Sequence, residues 1–161
     1  MRILSFDLSL TNSGWAVGDI IDGKLTIVEY GAIGTKRFAT RGTGMRLNHI
    51  ATEVTALYEK YLPDQVVKER SFSNGRITAT QQIYKVVGIW EMVSHLADQD
   101  SFAELTPSTV KKAVTGNGRA TKQQVAAAVK EITGIDTKVD DESDAIAVLI
   151  AYVQQEGLIK C

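Results

Sequence analysis

The 161-residue chain predicts an α/β domain built on a mixed five-stranded sheet, the first three strands antiparallel, flanked by helices. Three observations carry that expectation. The opening apolar runs flank an Asp22-Gly23 dipeptide, a strong short-range hairpin signal. From residue 42 the apolar period changes from two to three and four. Helical stretches then enclose two more short apolar runs. A strand–helix–strand unit after a hairpin demands strands of mixed direction with helices on the sheet faces.

Taken in order, strands are expected over 3–8, 14–20 and 24–32. Met45, Leu47, Ile50, Val54, Leu57, Tyr58 and Tyr61 then recur at helical spacing, predicting an amphipathic helix over 42–63 stopped by Pro63. Residues 65–69 read as a strand and 77–96 as a second helix. The apolar residues of that helix (Ile83, Tyr84, Val86, Val87, Ile89, Trp90, Met92 and Val93) wrap most of its circumference. Such a helix is buried on more than one side, and the second side fits another subunit. A strand over 102–105 follows, then helices over 107–115 and 121–132 around the loop 116–119. The last helix spans 141–155, with Ile146, Leu149, Ile150 and Val153 on one face. This order matches the RNase H-like fold, although several α/β folds open similarly. No repeat, low-complexity tract or Pro/Gly-rich linker interrupts the chain, so a single domain over 1–161 is expected.

Composition narrows the class. No run of about 18 apolar residues exists, which predicts no membrane span. The N-terminal apolar run is too short and too soon charged for a signal peptide. The one cysteine, Cys161, supports no disulfide framework and fits a reducing, cytosolic compartment. The net charge of −1 argues alone against a nucleic-acid binder, but the charges are segregated. Lys36, Arg37, Arg41 and Arg46 lie in a stretch without acids. Lys68, Arg70, Arg76 and Lys85 surround Glu69, the only acid of their stretch. Lys111, Lys112, Arg119, Lys122 and Lys130 follow in another acid-free segment. Acids concentrate late, from Glu131 to Asp144. Segregation of this kind gives a basic face to a neutral protein, or simply solvated helix faces.

The carboxylates at element ends carry the chemistry. Asp7 lies inside Ile-Leu-Ser-Phe-Asp-Leu-Ser-Leu, where a charge is unfavourable unless paired or bound to a metal. Glu69 ends the run Val66-Val67-Lys68-Glu69, and the two acids converge if their strands are neighbours. Asp141 and Asp144 sit three apart at the start of the last helix and share a face. Clustered anions repel and raise each other's pKa, a penalty that a divalent cation removes. With no Cys or His nearby, such a set suits Mg²⁺, with Mn²⁺ as a substitute, rather than zinc. Two ions about 3.5–4 Å apart clamp the attacking and leaving oxygens of a phosphodiester displacement, with water as nucleophile. Each acid also has a plainer explanation. Asp7 can close a turn and Glu69 can be a surface charge. Asp140, Asp141 and Glu142 can cap a helix, the preferred reading for Asp140 and Glu142. Asp140 also shares a face with Asp144, so the choice of Asp141 rests on motif spacing.

Four segments resemble the RuvC family of Holliday-junction resolvases, in order and over nearly the whole chain, from Arg2 to about Tyr152. Asp7 with Gly14 seven residues on resembles the first motif. Glu69 with Phe72 three residues on resembles the second. Asp141-Glu-Ser-Asp144-Ala-Ile-Ala resembles the final D-x-x-D-A-x-A helix, and residues 110–125 resemble the basic segment. The resemblance implies a homodimer that cuts opposed strands of a four-way DNA junction symmetrically, with no small-molecule cofactor. It implies Asp7, Glu69, Asp141 and Asp144 as catalytic and metal-binding residues. It implies DNA contacts from Phe72, Arg76, Lys111, Lys112, Arg119 and Lys122, with Phe72 near the crossover bases. An aromatic stacked on an unpaired base is worth about 1–3 kcal/mol, while a loop or core aromatic is the plainer role for Phe72. One departure is Leu8-Ser9 where family members carry Pro-Gly. The chain also stops soon after its last helix, like shorter phage-type members, which leaves action on Y-forks and other branched DNA open. Rival readings are a catalytically inactive branched-DNA-binding module, an RNase H-like nuclease on RNA-containing substrates, and a sugar-kinase-like ATPase. The last lacks its glycines beside Asp7.

Overall fold

The computed structural model describes residues 1–71 and 77–159. Strands β1 (Arg2–Asp7), β2 (Asn12–Ile21) and β3 (Lys24–Gly34) form the antiparallel meander. At the β2–β3 turn Asp22 and Gly23 have φ of 53° and 78°, the left-handed pair that matches the twist of a two-residue hairpin. Strands β4 (Gln65–Glu69) and β5 (Phe102–Leu105) run parallel to β1, giving the order β3-β2-β1-β4-β5. The expected mixed five-stranded sheet is therefore the observed one.

Helix α1 (Thr43–Tyr61) connects the meander to β4 and ends where Leu62 turns left-handed ahead of Pro63. Helix α2 (Ile77–Leu96) connects β4 to β5. Helix α3 (Pro107–Thr115) starts on a Thr106 cap with proline at its first position. Helix α4 (Lys122–Thr133) starts on a reciprocal Thr121–Gln124 capping box, and α5 (Asp140–Gln155) closes the chain. A 3₁₀ helix over Lys36–Arg41 was not expected, because six mostly polar residues carry no periodic signal.

Alternation along β1 sends its side chains into two cores. Leu4 and Phe6 join Val17 and Val66 under α1 and α2, where Phe6 meets Trp90 edge-on at 5.6 Å. Ile3 joins Ala16 and Val67 under α3, α4 and α5. The helix packed most completely is α5, not α2. Every residue from Ala145 to Val153 is buried, because α5 lies between the sheet and the α3–α4 pair. The single-face expectation for α5 underestimates it. Helix α2 instead buries Val86, Trp90, Val93 and Ser94 and leaves Ile77, Tyr84, Met92 and Leu96 exposed. Among the described residues no helix is long and apolar enough to cross a membrane.

Candidate metal centre and active site

The alternation that builds the cores also aims the acids. Asp7 has the parity of Ile3 and Ser5, so it faces α5. Ser5 on that face donates its hydroxyl to the Ala145 carbonyl of α5 at 2.8 Å. Strands β1 and β4 pair in parallel with Phe6 beside Lys68, so Asp7 and Glu69 occupy adjacent strand ends. Glu69 shares the parity of Val67, which also faces α5. The N-terminal turn of α5 brings Asp141 and Asp144 to the same carboxyl edge, where ligands of open α/β sheets ordinarily bind.

Electrostatics report the convergence. Burial pushes the Asp7 carboxyl well above the usual carboxylate range, and repulsion from Glu69, Asp144 and Asp141 adds to it, while Lys122 opposes. Burial, then Asp144, pushes Glu69 up to about 7, with Lys111 and Lys122 pulling it down. Asp144 is raised chiefly by burial, against the hydrogen bond it accepts from Lys122 Nζ at 2.8 Å. Asp141 accepts from Asn12 Nδ2 at 2.6 Å. The patch thus holds more negative charge than its surroundings neutralise. Among the described residues no three Asp, Glu, His or Cys side chains form a ready-made ligand cluster. The cation standing against Asp144 is Lys122. The donor chemistry, four carboxylates with no sulfur or imidazole, fits a hard divalent cation.

Two backbone features hold the site. Gly14, opposite Asp7 in the ladder, lets the first turn of α5 approach β2. Ser9 and Ser13 close the loop after Asp7, with Ser13 Oγ donating to the Ser9 carbonyl at 2.7 Å and accepting from Ser9 N at 3.0 Å. Beside Glu69, the buried Lys68 ammonium is paired with Glu104 and lies 5.5 Å from the Phe102 ring centroid. Glu104 also accepts from Arg70 Nε at 2.8 Å, tying β4 to β5 next to the site.

Of the basic residues singled out from sequence, Lys111 and Lys122 face the carboxylates. Arg119 is exposed in the α3–α4 loop, where its backbone N–H donates to Asn117 Oδ1 at 3.0 Å. Lys112 is not brought to this patch. It lines a surface groove with Ala151, Gln154 and Gln155 of the last turns of α5. Phe72 and Arg76 fall outside the described residues. Asn12 and Ser5 escaped the sequence reading. The only hint was their place within or beside the Asp7–Gly14 segment.

A mixed sheet of this order, with acids of β1, β4 and α5 at its carboxyl edge, is the architecture of the RNase H-like fold. A family model described as crossover junction endodeoxyribonuclease RuvC matches residues 3–152. The RuvC enzyme of Dictyoglomus thermophilum is 36% identical over 160 residues, covering 98% of this chain and 99% of that one. That of Brevibacillus brevis is 32% identical over 161 residues, covering 99% and 95%. The structure of T. thermophilus RuvC in complex with Holliday junction substrate superposes with a TM-score of 0.84 at 21% identity, over 99% of this chain and 98% of that one. The yeast mitochondrial Holliday junction resolvase superposes at 0.68 and 14% identity, over 97% and 79%. These last two likenesses speak to the fold. The chain belongs to the RuvC family of crossover junction endodeoxyribonucleases, the metal-dependent resolvases of Holliday junctions.

Proposed function

We propose that this chain is a homodimeric, single-domain, cytosolic enzyme that resolves four-way DNA junctions by symmetric hydrolysis of opposed phosphodiesters. Asp7, Glu69, Asp141 and Asp144 hold Mg²⁺, or Mn²⁺ in its place, as two ions per site. The observation that carries the assignment is the meeting of these acids at one sheet edge: Asp7 and Glu69 end adjacent parallel strands, and the first turn of α5, which carries Asp141, packs on Gly14 opposite Asp7. Bound ions supply neutralising charge and polarise the scissile phosphate. The protein's own groups do the rest. Asn12 orients the Asp141 carboxylate, and Lys122 and Lys111 place positive charge where a backbone phosphate approaches. Arg119 lies on the loop beyond them. Lys112 contacts a more distant part of the substrate than the cut phosphate, while Phe72 and Arg76 belong to the connection after Glu69 and engage bases and backbone near the crossover. The exposed Ile77, Tyr84, Met92 and Leu96 of α2 fit a second copy of the chain.

The test uses labelled four-way junction, Y-fork, linear duplex and RNA–DNA hybrid, each with Mg²⁺ or EDTA. Paired symmetric nicks in the junction, dependent on Mg²⁺, are expected. Cleavage of the hybrid instead, or binding without nicks, overturns the assignment. Asp7→Asn, Glu69→Gln and Asp144→Asn each abolish cleavage and leave junction binding intact. Full activity in any one removes that residue from the site.

A further inference from the structure

The 3₁₀ segment Lys36–Arg41 has no part in the site above, yet it is anchored to it. Asn12, whose side chain holds Asp141, pairs with Gly34 at the end of β3. The next residue, Thr35, is buried. It donates its backbone N–H to the Thr11 carbonyl at 2.9 Å and its hydroxyl to the Leu10 carbonyl. Arg46, at the start of α1, completes the anchor. Its Nε donates to Thr35 Oγ1 at 2.8 Å, and its Nη2 reaches the Leu10 carbonyl and Thr11 Oγ1, each at 3.2 Å. Leu10 and Thr11 belong to the loop that leaves Asp7. The segment is thereby fixed at the carboxyl edge of the sheet, on the β2–β3 side, across from Lys111 and Lys122.

Hung on this frame, Lys36, Arg37 and Arg41 are exposed, and none makes an ion pair among the described residues. Arg37 stacks over the Phe38 ring at 4.7 Å, and Phe38 in turn packs on His49 of α1 at 5.0 Å. The first turn of α1 carries no acid. Three exposed cations without an ion pair, held on the loop that leaves Asp7, form a local basic surface in a chain of net charge −1. It attracts a polyanion that the carboxylate patch alone repels.

Resting on the nuclease reading, we propose that Lys36, Arg37 and Arg41 form a second phosphate-binding surface. It grips the backbone of a duplex arm on the β2–β3 side of the cut, opposite the arm met by Lys111 and Lys122. Two basic flanks then share the work of holding the DNA on both sides of the acids, so that loss of one weakens binding but leaves the cut of bound DNA unchanged. These residues position substrate and take no part in the chemistry.

The experiment compares the wild-type protein with the triple variant Lys36→Gln/Arg37→Gln/Arg41→Gln. Arg46, which holds the fold, is left intact. Binding of a fluorescent four-way junction is titrated in EDTA across about 50 to 200 mM salt. Removal of one cation from a backbone phosphate makes the log–log salt slope shallower by about 0.9, so a change of between two and three is expected, with at least tenfold weaker binding at the low-salt end. Single-turnover cleavage with Mg²⁺ at saturating protein is expected to be unchanged. An unchanged slope and affinity overturns the proposal, as does loss of cleavage at saturation with binding intact. Wild-type protein that neither binds nor cuts the junction refutes the nuclease reading instead. Should the triple variant melt early, Lys36→Gln and Arg41→Gln alone are each expected to lower the slope by about 0.9, and no change in either overturns the proposal.

Discussion

Gly14 packs against the backbone carbonyl of Asp141 so closely that a β-carbon on it would stand 1.9 Å from that oxygen. Since Gly14 pairs with Asp7 across the β1–β2 ladder, this approach sets how near α5 comes to the carboxylate strand. Gly14→Ala forces the first turn of α5 outward. Overpacking of this kind costs about 1–3 kcal/mol, and a displacement of about 1 Å at a reacting centre costs on the order of 100-fold in rate. Cleavage by this variant is therefore expected to fall far more than its urea midpoint. A variant that unfolds early but cuts at the wild-type rate when folded contradicts this role for the glycine.

The site acids work against the fold. Glu69 rises from 4.5 to about 7, so its protonated form is favoured in the folded chain. Because the folded state binds the extra proton, the charge penalty is absent below about 4.5, grows as pH rises to about 7, and is constant above. The upper limit is about 3 kcal/mol at 1.36 kcal/mol per unit. Asp7 acts in the same direction. In EDTA, wild-type stability relative to Glu69→Gln is expected to fall across that window, as read by urea unfolding at several pH values. Mg²⁺ removes the difference. A flat difference across the window contradicts it.

Asp7→Asn separates stability from activity. Removing a charge that burial and three neighbouring acids disfavour is expected to raise stability in EDTA at pH 8, while cleavage disappears. Calorimetry of the two proteins reads the sign. Lower stability of the variant shows that Asp7 is well paired without an ion.

Lys122 holds Asp144 in a 2.8 Å ion pair, so an ion bound by Asp144 under the proposed function would compete with it. Lys122→Met is expected to lower the Mn²⁺ concentration for half-saturation several-fold, measured by electron paramagnetic resonance of free Mn²⁺. Junction cleavage still falls, because the phosphate loses its cation. The pair is partly exposed, so its removal costs the fold at most about 1 kcal/mol. Weaker Mn²⁺ binding makes Lys122 a supporting rather than a competing group.

Asn12→Ala leaves the Asp141 carboxylate without its 2.6 Å donor. Loss of such an orienting partner costs about 10–100-fold in metal affinity or activity. The same resonance titration is expected to show weaker Mn²⁺ binding at near-wild-type thermal stability. Unchanged affinity leaves Asn12 as loop structure only.

The order of elements, the hairpin at Asp22-Gly23, the grouping of Asp7, Glu69, Asp141 and Asp144 as one candidate set, and the family were all legible in the chain read residue by residue. Period and turn chemistry are written within a few residues of one another, and the acids are grouped by the order of short motifs along the chain. The rest depends on which surfaces meet after folding. That α5 rather than α2 is enclosed follows from α3 and α4 folding over it, a packing of segments far apart in the chain. The tasks of Gly14 and Asn12 appear only when the start of β2 meets α5, 129 residues later for the Asn12–Asp141 bond. Lys122 against Asp144, and the basic 3₁₀ segment hung on the loop after Asp7, arise in the same way. Charge acts through space, so the partners that set a carboxylate's pKa are legible only once the chain has folded.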